Sequence, residues 1–125
     1  GISGHNVQNV ILENIDISFP GRASKAMGYI PLNDLDRVPE KIDDYPEFSM
    51  FGELPAWGFY VRHAEGVTFK NVTINARNTD FRPAYVFDRV QNISITDSDV
   101  VPVSTAEGCQ KHLDFQCKGR WKINC

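Results

Sequence analysis

Three stretches of this chain can be laid on one another without a gap: VQNVILENIDI from Val7, AEGVTFKNVTI from Ala64 and VQNISITDSDV from Val90. They stand at steps of 57 and 26 residues. The segment just upstream keeps the shorter step, with Phe59-Tyr60-Val61 falling on Tyr85-Val86-Phe87. An internal repeat constrains a fold more tightly than composition does. A unit this short cannot bury its own apolar face, so it must stack on its neighbours.

The repeat has a physical pattern. Its third position is Asn9, Gly66 or Asn92, residues that tolerate a left-handed backbone, so each copy is expected to turn there. Apolar residues then alternate: Val10 and Leu12, Val67 and Phe69, Ile93 and Ile95. Period two with β-branched and aromatic side chains reads as a short strand with one buried face. Next comes Asn14, Asn71 or Asp97, a short amide or carboxylate that can bond the turn backbone and form a ladder when copies stack. A second short strand follows, with Ile15 and Ile17, or Val72 and Ile74. A 26-residue step suits one turn of a parallel β-helix, in which each coil completes its neighbour's hydrogen bonds at about 4.8 Å. The competing architecture is an antiparallel sandwich, which also has short, regularly spaced strands. It does not require the same corner residue in the same register. The expected fold is therefore all-β, a right-handed parallel β-helix of about four coils, incomplete, in a single domain over 1–125. The fourth copy is LDFQCKGRWKINC from Leu113, a weakly matching coil within 101–125 that needs a one-residue insertion after Gly119.

The longer first step means that about 31 residues are inserted. They fall in a loop over about 20–57 that contains Pro20, Pro31, Pro39, Pro46 and Pro55. Such a loop is usually functional or disordered. Its second half, YPEFSMFGELPAWG from Tyr45, is rich in aromatics and is expected to be ordered and packed. Two roles are open to it: a sugar- or partner-contacting loop, or a cap over the flank of the stack.

Other features mostly exclude. A net charge of −3 with interspersed signs leaves no basic footprint for nucleic acid. No apolar run approaches the roughly 20 residues of a membrane span, and no signal peptide is visible. Cys109, Cys117 and Cys125 cannot all pair within one chain, and their spacing is not that of a C-x-x-C site. With His112 they form a weak metal motif lacking a close ligand pair. No metal or cofactor is expected.

The run from Tyr45 to Ile95, with its phrases FGELPAWGFYVRH and DFRPAYVFD, resembles the C-terminal coils of bacterial polygalacturonase-like enzymes, glycoside hydrolase family 28. SGHNVQNVILENIDISFPG, from Ser3 to Gly21, looks like the coil that follows the active site in that family. The resemblance covers about four fifths of the chain and weakens after Val101. It implies a right-handed parallel β-helix, inverting hydrolysis of galacturonan by aspartates on opposite sugar faces, and a secreted or periplasmic location. The family's catalytic order is Asn-Thr-Asp, Asp-Asp, Gly-His-Gly, then Arg-Ile-Lys. Here Asn78-Thr79-Asp80, Asp43-Asp44 and Gly4-His5 occur in reverse order, His5 precedes Asn6, and Arg-Ile-Lys is absent. The expectation is a non-catalytic C-terminal fragment whose catalytic aspartates lie outside this chain. The alternative is an independent carbohydrate-binding or assembly module.

Four residues are candidates for substrate binding: Trp57, Arg62, His63 and Arg82. With Phe59 and Val61 inward, Tyr60 and Arg62 point outward. An arginine near a tryptophan suits an acidic sugar, because guanidinium binds carboxylate bidentately while indole stacks on the ring. The plainer reading makes Arg62 part of a solvated face and Trp57 a packing anchor. Asn71-Val72-Thr73 and Asn92-Ile93-Ser94 fit the glycosylation pattern, but corner and turn positions explain them better. The expected partners are an acidic polysaccharide and a second copy of the chain, joined through exposed β-helix ends.

Overall fold

The structure is a computed structural model that describes residues 1–24, 26, 30–45, 47 and 50–103, and the backbone alone of 111–123. Four strands form one sheet in the order β1 (Val7–Phe19), β2 (Phe59–Ala76), β3 (Tyr85–Val101) and β4 (Lys111–Ile123). The pairs β1–β2 and β2–β3 are parallel, which excludes the antiparallel sandwich for these three strands. Their register follows the sequence repeat: Val10 pairs with Val67 and Val67 with Ile93, while Phe59 pairs with Tyr85.

β2 and β3, of 18 and 17 residues, exceed the usual strand length of about 3–10. They accommodate that length by carrying left-handed residues in stacked rows. One row is Asn9, Gly66 and Asn92, with φ of 56°, 71° and 56°. A second is Asn14, Asn71 and Asp97, with φ of 56°, 51° and 49°. Both rows match the turn positions expected from sequence. Asn71 Nδ2 donates to Asn14 Oδ1 at 2.7 Å, which forms one rung of the expected ladder. Gly66 is needed in its row, since a Cβ there would lie 3.1 Å from Asn9 Oδ1. A third row, His63 and Arg89 with φ of 50° and 55°, was not foreseen. Neither is a residue type that announces a left-handed turn.

The alternating apolar residues share one face. Val67, Phe69, Val72, Ile74, Ile93 and Ile95 are buried there, with Val10, Leu12 and Ile15 packed against them. Tyr85 stacks between Phe59 and Phe87 at centroid distances of 5.5 and 5.9 Å, and Phe69 meets each of the three edge-on. The Tyr85 hydroxyl is buried without a hydrogen-bond partner, and burial raises its pKa. Each such side chain contributes roughly 1.5–3 kcal/mol by leaving water.

The expected fourth copy is corrected. β4 runs antiparallel to β3, with Gly119 opposite Val90 and Trp121 opposite Phe87. An alternating pattern reads the same in both directions, so it does not encode strand polarity. What distinguishes the parallel copies is their rows of left-handed residues, and the Leu113 segment, aligned as a copy, places only Gly119 in such a row. The register of β4 against β3 slips between Phe87 and Val90, Val90 and Ile93, and Ile95 and Ser98. Each slip brackets one left-handed residue of β3: Arg89, Asn92 or Asp97. A partner without matching turns skips past them as bulges do. Cys109 and Cys125 lie outside the described residues, and of Cys117 and His112 only the backbone in β4 is described.

Between β1 and β2 the chain forms the long excursion expected from sequence, with a short 3-10 turn at Leu35–Arg37. It lies against the molecule. Ala23, Ile30, Leu35, Val38, Ala56 and Trp57 are buried. Its aromatics do not all follow the expected packing, since Tyr45 is 87% exposed.

Candidate functional site

The outward side chains of β2 and β3 lie beneath this excursion. Tyr60 does face away from Phe59, as alternation requires, and packs against Leu35, Ala56 and Val86 in a small second core. Around it is a charged clasp. Asp88 is fully buried, and its Oδ2 stands 3.3 Å from Arg62 Nε, 3.1 Å from an Arg89 terminal nitrogen and 3.5 Å from the Tyr60 hydroxyl. The Arg62 Nε contact is electrostatic, without hydrogen-bond alignment. Three loop residues close over the cluster. Arg62 donates to the Val38 carbonyl at 2.6 Å, Arg89 pairs with Asp36, and His63 Nε2 shares a hydrogen bond with Glu40 Oε1 at 3.0 Å. Burial raises the Tyr60 hydroxyl to about 12, with Asp88 adding to the rise and Arg62 opposing it. Tyr60 and Arg62 line a cavity of 190 Å³ together with Val38, Glu40 and Leu54. That is below the roughly 300 Å³ at which small-molecule sites begin.

A second, larger cleft of 360 Å³ lies between the end of β1 and the loop. Its walls include Phe19, Arg22, Glu53, Leu54, Trp57 and Arg82. Trp57 is only 8% exposed and meets Phe19 edge-on at 6.0 Å. It is an apolar wall, not a free platform. Arg82 is held at 10% exposure: Nε and one terminal nitrogen grip Asp80 at 2.9 and 2.8 Å, and the other reaches Glu53 Oε2 at 3.0 Å and the Leu54 carbonyl at 3.1 Å. Burial pushes the Asp80 carboxyl upward. The hydrogen bonds from the Arg82 side chain and from the backbone N–H groups of Arg82 and Ala23 outweigh it and hold the carboxyl below its ordinary value.

The four residues singled out from sequence therefore do not form one site. Trp57 and Arg82 share the larger cleft, whereas Arg62 and His63 belong to the clasp. Arg62 is not a solvated arginine, since its side chain is 12% exposed and already paired. Asp88, Asp36, Glu40 and Arg22 were missed. For Asp88 a signal existed: it falls on Arg62 at the 26-residue step, and opposite charges facing across neighbouring strands attract. Glu13 and Lys70 repeat this at the 57-residue step, 2.7 Å apart. Asp80 was set aside as part of an Asn-Thr-Asp coincidence; the structure gives it the task of anchoring Arg82.

Among the described residues no group of three His, Cys, Asp or Glu side chains is placed to hold a metal, and no helix is long and apolar enough to cross a membrane. Compared with protein-family models, with curated proteins and with solved structures, the chain finds a match in none of the three.

Proposed function

We propose that the chain is a segment of right-handed parallel β-helix of the polygalacturonase-like type, which holds an acidic, galacturonan-like polysaccharide without cleaving it. The supporting observation is the stacking of left-handed residues in rows across three parallel strands at the steps of the sequence repeat. Coils that turn at the same positions need such rows, since each corner must repeat for neighbouring strands to stay in register. A β-helix flank with a cleft walled by Trp57, Phe19 and Leu54 and edged with charge suits a chain of sugar acids. On this reading the protein works where the polymer is, secreted or in the periplasm.

The state of Asp80 supports the non-catalytic part of this reading. A glycosidase acid must keep its proton near neutral pH, which requires a raised pKa. Despite burial, Asp80 departs the other way, its carboxyl held below the ordinary value by hydrogen bonds from Arg82 and the Ala23 N–H. The test pairs two measurements on the intact chain. Calorimetric titration with oligogalacturonides should show binding, and a reducing-end assay on polygalacturonate should show no turnover. Turnover abolished by Asp80→Ala, Asp43→Ala or Asp44→Ala would replace this reading with that of an enzyme.

A second reading, assembly between copies, rests on the outer edge of β1. That edge has no strand partner among the described residues, and Val7, Ile11 and Ile17 are 46%, 69% and 37% exposed. An unpaired edge with apolar side chains favours association. Sedimentation across a concentration range separates the two, since a strictly monomeric chain has no such assembly.

A further inference from the structure

The larger cleft contains a cation that the fold does not consume. Arg82 is neutralised by Asp80 and Glu53, and Arg62 lies elsewhere, under the clasp. Arg22 is exposed on the cleft wall and has no side-chain hydrogen bond or ion pair among the described residues.

Its backbone, in contrast, is tightly held. Arg22 N–H donates to the Thr79 carbonyl at 3.3 Å, Ala23 N–H donates to Asp80 Oδ2 at 3.1 Å, and Asn78 Nδ2 donates to the Pro20 carbonyl at 2.7 Å. Gly21 packs so closely on this turn that a Cβ would lie 2.6 Å from the Asn78 carbonyl oxygen. Gly21 and Arg22 are both left-handed, with φ of 63° and 81°. A long side chain at such a φ is uncommon, and glycine would satisfy the same backbone more easily. What Arg22 adds is a positive charge, on a fixed backbone, at the cleft that Trp57 also lines.

We infer that Arg22 is the carboxylate-recognising residue of this cleft and sets its preference for uronic acids over neutral sugars. This rests on the acidic-polysaccharide reading above. The geometry divides the work. The guanidinium of Arg22 has its donors available for a carboxylate, which it binds with strong, charge-assisted hydrogen bonds. Glu53, 39% exposed and tied to Arg82, offers acceptor capacity for sugar hydroxyls. Phe19, Leu54 and Trp57 supply the apolar wall for the C–H face of a sugar ring. The volume of 360 Å³ lies within the range of small-molecule sites, about 300–1,000 Å³.

The experiment titrates the intact protein and its Arg22→Gly and Arg22→Lys variants with trigalacturonate and with fully methyl-esterified trigalacturonate, followed by amide NMR shifts. The native protein should prefer the acid by about tenfold, the size of one charged contact near 1.4 kcal/mol. Arg22→Gly should lose that preference while its melting temperature stays level or rises, because glycine relieves the left-handed residue. Arg22→Lys should keep part of it. If Arg22→Gly retains the full preference, or the native protein binds both probes equally, the inference fails and the saccharide reading survives. If neither probe binds the native protein, the saccharide reading fails and takes the inference with it.

Discussion

The two faces of β2 and β3 are built differently. The inner face is an alternation of apolar residues in stacked rows, with Phe69, Phe87 and Tyr85 fully buried. The outer face near Tyr60 is only partly covered, by a loop fastened through polar contacts: Asp36 to Arg89, the Val38 carbonyl to Arg62 and Glu40 to His63. Apolar stacking is non-directional and repeats with the strands. A charged clasp is directional and occurs once, because the buried carboxylate of Asp88 must meet its own partners or remain an unpaired ion. The two kinds of cover should therefore respond differently to mutation and pH.

The largest expected contrast comes from breaking each face once. Phe69→Ala removes an aromatic that touches Phe59, Tyr85 and Phe87, and should cost about 4 kcal/mol with cooperative loss of the whole sheet. Denaturant unfolding followed by circular dichroism measures it. Asp88→Ala leaves Arg62 and Arg89 without their common counter-charge and should cost about 3 kcal/mol. Here the loop should fail first: protease should cut within 32–40 under conditions that leave the strands intact. Loss of both together would show that the two faces are one cooperative unit.

A third effect is expected with pH. The folded state lowers the pKa of Asp80 from its ordinary 3.8. The unfolded chain therefore takes up a proton before the folded one does. The stabilisation is complete above the ordinary value and is lost as pH falls through the folded value. Asp80→Asn should cost about 2 kcal/mol at pH 7 through weakened bonds to Arg82. The gap between native and variant melting temperatures should then narrow as pH falls below the ordinary value of 3.8. A gap independent of pH would mean that the charge of Asp80 is not what holds Arg82.

Smaller effects test the rows of left-handed residues. Gly66→Ala should cost about 1 kcal/mol, since Gly66 has φ of 71° and little room beside Asn9. Asn92→Gly in the same row should be level or gain a few tenths of a kcal/mol, because glycine adopts φ > 0 freely. Thermal melting resolves both. Equal responses at the two positions would indicate that the row's shared backbone shape is not what fixes the strands in register.

Much of the inner face was legible in the sequence. The gapless repeat gave the parallel register of β1, β2 and β3. The row of Asn9, Gly66 and Asn92 could be placed because only a few residue types accept that backbone at low cost. The candidate site was far less legible. Arg62 and Arg82 stand out as arginines near aromatics, but nothing local reveals that each is already engaged. The chain has 16 acidic and 13 basic side chains, so many pairings are compatible with its composition. Arg22 carries no motif; it matters because it lines a cleft and has no side-chain partner among the described residues.

By itself, then, the sequence determined what repeats: the alternation of the buried face, the turn positions and the steps that bring strands into register. These are short-range steric requirements, and each residue states its own. Only the tertiary structure decided what occurs once. It set the direction of β4, because an alternating strand is symmetric under reversal. It drew the loop onto the outer face, because Leu35 and Val38 needed cover and Asp36 and Glu40 found Arg89 and His63. It turned Trp57 inward and left Arg22 exposed, because those outcomes depend on which of several chemically equivalent partners the fold brings within reach, and no local rule ranks them.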